Sequence, residues 1–141
     1  MKTTHGLAIA LFVATGLATA SCAGSRELRL ATNGDIPAAE STVKISTTSN
    51  GNTGFHLAVK HLAAPQRVDA NTSAYVVWTR GSESAAETQN MGALVVDDNL
   101  SGSFDGVTPL NTFDLFVTAE ASPLVAAPTG KTLLYTTVAT Q

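Results

Sequence analysis

The chain has 141 residues, a net charge of −3, only 13% charged residues and a single cysteine. A mildly acidic chain without a Lys/Arg cluster lacks the electrostatic footprint that phosphate backbones demand, so nucleic-acid binding is not expected. At this length one core is expected, and Cys22 has no partner for an internal disulfide.

Lys2 opens a short basic segment, and residues 6–20 form an uncharged apolar run of fifteen residues. That is short for a membrane span of about 20 residues but suits the apolar region of a secretory signal peptide. Residues 1–21 are therefore expected to be a signal segment, and the rest of the chain to be exported. Two processing routes compete. Ala18-Thr19-Ala20 fits ordinary cleavage before Ser21, whereas Thr19-Ala20-Ser21-Cys22 resembles a bacterial lipobox in which Thr19 stands where Leu is usual. In the second route Cys22 is the lipidated first residue of the mature chain, and several acyl chains at about 0.8 kcal/mol per buried CH₂ make a durable membrane anchor.

Residues 22–41 are small and polar with no sustained period, and read as a tether. From Thr42 the period becomes two. Val43 and Ile45 alternate with polar residues, Asn50-Gly51 signals a hairpin, and Phe55, Leu57 and Val59 share one face of the return strand. Residues 62–72, with Pro65, Asp69 and Asn71, read as a loop. Residues 73–80 are apolar on both faces over their middle, as in a central strand covered on each side, with Trp78 expected as the largest core contributor. Residues 81–90 read as an exposed connection. Residues 91–96 and 100–105 read as strands around the Asp97-Asp98-Asn99 turn. The last hairpin runs from Asn111 to Val138: Phe113, Leu115 and Val117 should face the core, and residues 120–130, stiffened by Pro123 and Pro128, should form a shaped loop.

Seven strands with frequent turn chemistry and no helix predict an all-β fold. The expected form is an antiparallel two-sheet sandwich with immunoglobulin-like connections over residues 42–141. A closed barrel shares the same periodicity.

Few residues suggest chemistry. His56 and His61 lie an odd number of positions apart on one predicted strand, which points them to opposite faces and away from a shared metal. Asp97, Asp98 and Asp105 are the carboxylates to weigh for a weak calcium site, but adjacent carboxylates diverge and the glycine of a calcium loop is missing; a polar turn is the expectation, and no cofactor is expected. Gly81-Ser82-Glu83-Ser84 is not a nucleophile elbow. Asn71-Thr72-Ser73 and Asn99-Leu100-Ser101 are formal glycosylation sequons, coincidental in a bacterial lipoprotein. The strand aromatics belong to the core, with Phe116 and Tyr135, on the second face of their strands, the candidates for a binding surface. An enzyme would need a deep pocket lined by Asp114, Glu120 and a histidine.

Tyr75-Val76-Val77-Trp78, Gly92-Ala93-Leu94, the run Val117-Thr118-Ala119-Glu120-Ala121-Ser122-Pro123 and the run Ala127-Pro128-Thr129-Gly130-Lys131-Thr132-Leu133-Leu134 together resemble the extracytoplasmic C-terminal domain of the anti-sigma-K factor family. The family's sigma-binding region and transmembrane helix have no counterpart here. The resemblance implies a sandwich on the outer side of a membrane with a sensing or regulatory role and no catalytic residue. The expected function is thus a non-enzymatic, lipid-anchored protein of the bacterial envelope that binds an envelope protein or glycan. A structural or adhesive secreted module is the alternative.

Overall fold

A computed structural model describes residues 24–82 and 88–140; the signal segment and Cys22 lie outside the described residues. The chain forms β1 (Arg26–Arg29), β2 (Ala31–Thr32), β3 (Glu40–Thr47), β4 (Thr53–Lys60), the single-turn helix α1 (Pro65–Val68), β5 (Ala74–Gly81), β6 (Thr88–Leu94), β7 (Gly102–Thr108), β8 (Thr112–Glu120) and β9 (Thr132–Ala139). The strands make two separate antiparallel sheets, ordered β1-β3-β4-β7 and β2-β9-β8-β5-β6.

Period-two patterning builds the core between the sheets. Val43, Ile45, Phe55, Leu57 and Val59 from the four-stranded sheet meet Tyr75, Val77, Phe113, Leu115, Val117, Leu133 and Val138 from the five-stranded sheet in one buried cluster. Phe55 lies 6.2 Å from both Phe104 and Phe113, ring centre to ring centre. The Tyr75 hydroxyl donates to the Ala63 carbonyl at 2.6 Å, and burial pushes its pKa up to about 12. The β3–β4 hairpin closes in register through Thr47 and Thr53, with Gly51 at a φ of +83° in its turn.

Several boundaries differ from expectation. The segment expected as a tether supplies β1 and β2, so the described chain has nine strands rather than seven. Leu28 and Leu30 alternate with Glu27 and Arg29, a period of two too short to stand out among small residues. Yet Leu30, Ile36 and Ala39 are buried in the core, and Leu28 packs against it. Three charged residues on the four-residue β1 suit an edge strand, where charge discourages pairing with other chains. Pro65 opens α1 where only a loop was expected, at the position where its missing N–H costs least. Thr88–Asn90, expected in the exposed connection, begin β6. Leu100, expected to start a strand, sits in a turn at a φ of +59° and β7 starts at Gly102. The reason is Asp97, whose carboxylate accepts the N–H groups of Asn99 and Ser101, both at 2.9 Å, and extends the turn.

Leu30→Ala should therefore lower stability by about 2–5 kcal/mol, the range for truncating a buried leucine. Denaturant unfolding reads this directly; an unchanged midpoint would restore the tether.

Candidate functional site

The outward face of the five-stranded sheet carries a connected polar and aromatic arrangement. On β5, Val76, Trp78 and Arg80 point away from the core; on β8, Asp114, Phe116, Thr118 and Glu120 do the same. Register places Trp78 beside Phe116, Val76 beside Thr118 and Arg80 beside Asp114. The Trp78 and Phe116 rings stack at 6.4 Å with 16° between their planes. Arg80 lies 5.4 Å above the Phe116 ring, a cation–π contact, and its Nη2 donates to Asp114 Oδ2 at 2.9 Å.

Strand β9 completes this cluster. Tyr135 pairs with Phe116 and Thr137 with Asp114, and their hydroxyls donate to Asp114 Oδ1 at 2.8 and 3.0 Å. Burial alone would raise the Asp114 pKa, but hydrogen bonds from Arg80, Tyr135 and Thr137 and the Arg80 charge outweigh it and hold the carboxyl below its ordinary range. The anion is largely covered, with 14% of its side chain exposed, while Tyr135 and the Arg80 side chain are each 39% exposed. Asp114 thus fixes the orientation of an accessible phenol and an accessible guanidinium.

A second carboxylate organises the other end of this face. Glu120 is 1% exposed. Its Oε1 accepts from Thr118 Oγ1 at 2.6 Å and from the N–H groups of Thr129 at 3.0 Å and Gly130 at 3.1 Å, and the Thr129 hydroxyl donates to Oε2. Thr118 Oγ1 in turn accepts the Trp78 indole N–H at 2.8 Å. Burial pushes the Glu120 carboxyl up, but these donors together bring it below the usual carboxylate range. Gly130 has no substitute here, because a Cβ would stand 1.7 Å from the Ala119 carbonyl oxygen.

The loop between β8 and β9 is fastened a second time by Asn90. A bulge in β6 opposite Val77 and Trp78 leaves Met91 as the extra residue and sets Asn90 beside Trp78. From there its Nδ2 donates to the carbonyls of Pro123 at 3.0 Å and Val125 at 2.9 Å, and Val125 packs on Val76, Trp78 and Phe116.

No protein-family model, curated protein or solved structure matches this chain.

Of the two residues expected at a binding surface, Tyr135 is exposed but Phe116 is 5% exposed, sealed beneath Arg80 and Val125. Trp78 is fully buried as expected, but in this outer cluster rather than in the main core. Asp97 caps its own turn, Asp105 Oδ1 lies 2.7 Å from His56 Nδ1, and Asp97, Asp98 and Asp105 do not come together as a group of three among the described residues. His61 lies beyond the end of β4, at a φ of +56°. Asp114 and Glu120 do share a face, but His56 projects from the four-stranded sheet, paired across to Asp105 of β7. Sequence reasoning missed Arg80, Thr118, Thr129 and Asn90. The Val-Thr-x-Glu and Pro-Thr-Gly elements were visible, but their meeting at one carboxylate depends on the path of the loop.

Thr118→Val should strand the buried Trp78 N–H and remove one Glu120 donor, costing about 1–3 kcal/mol. Gly130→Ala should cost at least as much, because backbone must move to admit the methyl group. Paired denaturant curves check both, and a Gly130→Ala protein as stable as the parent would contradict the fastening.

Proposed function

We propose that this is a non-enzymatic, exported and lipid-anchored envelope protein whose two-sheet domain binds another envelope component, protein or glycan, through the outward face of its five-stranded sheet. The observation that carries this reading is the Asp114 cluster. A covered anion holds Tyr135 and Arg80 in fixed orientation while leaving both accessible, as a preorganised recognition surface requires. The face is suited to contact rather than turnover. Both its carboxylates are saturated with donors and held low, whereas a general acid or base at neutral pH needs a pKa near 7.

The strand order supports an immunoglobulin-like reading of the fold. The pair β3-β4 lies in the four-stranded sheet and β5-β6 in the five-stranded one, β7 returns to the first, and β8-β9 complete the second. The resemblance to the outer domain of anti-sigma-K factors accords with this, since its most specific elements meet at Glu120. Lipidation at Cys22 has a geometric consequence here. With β1 starting at Arg26, only four residues on, the chain can separate anchor from sheet by about 14 Å at most. The domain would then ride close to the bilayer instead of on a long leash.

Cys22→Ala should release the protein from the membrane fraction of cells, and unchanged partitioning would remove the lipid anchor from the account. A photo-crosslinker at Thr137 should capture one discrete partner in intact cells. Tyr135→Ala and Arg80→Ala should each reduce that capture several-fold, at a cost of about 1–3 kcal/mol in stability that denaturant unfolding reads and that leaves the domain folded. Capture indifferent to both substitutions would refute the assigned surface.

A further inference from the structure

We propose that residues 121–129 form a strap that the Glu120 carboxylate fastens over Trp78 and Phe116, and that protonating Glu120 frees the strap while the two sheets remain folded. The geometry divides the apolar interior in two. The main core draws on both sheets and includes no residue of the loop. The smaller cluster consists of Val76, Trp78 and Phe116, with Val125 of the loop as its lid. Opening the loop therefore uncovers the aromatic pair without touching the contact between sheets. Leu124, at the middle of the strap, is 89% exposed and contributes nothing to holding it shut.

The fastenings are few and unequal. Asn90 grips two carbonyls, and Ser73 Oγ donates to the Ala121 carbonyl at 2.7 Å. At the far end Glu120 accepts the N–H groups of Thr129 and Gly130 and the Thr129 hydroxyl. A protonated carboxyl carries a donor where those groups need an acceptor, so the Thr129 and Gly130 N–H groups lose their partner. Among the described residues no cation is paired with this carboxylate to hold its charge. Ala74 lies beside it on β5, Lys131 at the start of β9 is paired with Asp35 at 3.4 Å, and Arg67, the cation of α1, is exposed. The sign follows from the lowered pKa. The fastening is fully present above the ordinary carboxylate range and is lost as pH falls through the folded value below it. Asp114 titrates in the same direction on the same face, but it holds Tyr135 and Arg80, not the strap.

Trp78 is the only tryptophan and reports directly on this cluster. Its emission and its quenching by acrylamide should be followed from pH 7 to pH 2 beside far-UV circular dichroism. The expected result is an acid step below the ordinary carboxylate range in which emission shifts red and quenching rises while the β-sheet signal stays constant. Asp114→Asn should keep that step. Glu120→Gln should be quenched at pH 7 as the parent is in acid and show no step; if it fails to fold, the comparison of parent with Asp114→Asn still decides. Trp78 protection that persists until the β-sheet signal collapses, or a step abolished by Asp114→Asn, overturns the proposal.

Discussion

Strand β8 is buried on both faces, and much of the rest of the molecule answers that constraint. Its inward residues Phe113, Leu115, Val117 and Ala119 meet the opposing sheet, but Phe116, Thr118 and Glu120 point the other way and are buried as well. A second sheet can cover only one face of the first. The remaining face is covered by the chain's own loop, and a carboxylate holds that loop in place. Burying an ionised carboxyl is costly unless its lone pairs are filled. Here Thr118, Thr129 and Gly130 fill them, and Trp78 is tied into the same network through Thr118. The close approach this needs leaves no room for a side chain at position 130.

Much of the strand architecture was legible because burial on one face writes a period of two. Val43 and Ile45, Phe55 to Val59, and Phe113 to Val117 are all placed inward as their alternation implies. The Asn-Gly turn did its expected work in the first hairpin. What alternation could not provide was the fate of strands apolar on both faces. The middle of residues 73–80 announced double burial, but not that Trp78 would belong to the outer side under a loop. Nor could it find β1 and β2: Leu28 in β1 and Leu30 between the two strands only acquire meaning once β3 and β9 lie beside them.

The candidate site was less legible for a different reason. Arg80 and Asp114 are far apart in sequence and meet only because β5 and β8 pair in one particular register. Asn90 reaches the loop only because a bulge reorients it. Tyr135 was correctly suspected of surfacing, whereas Phe116 was not separable from it by pattern, since both occupy the second face of a strand. Cover by Arg80 and Val125 makes the difference. The two carboxylates illustrate how one physical device serves two ends: Asp114 fixes exposed groups for contact, and Glu120 fixes a loop that hides apolar surface.

The most direct test of the account is amide hydrogen exchange at Thr129 and Gly130. Loop amides open to solvent exchange at nearly the rate of an unfolded chain, whereas amides bonded to a buried anion open only with the structure that buries it. The account predicts that at neutral pH these two amides exchange far more slowly than in an unfolded chain, through opening of the strap, and therefore faster than those in the middle of β8. Exchange at the rate of an unprotected loop would contradict it.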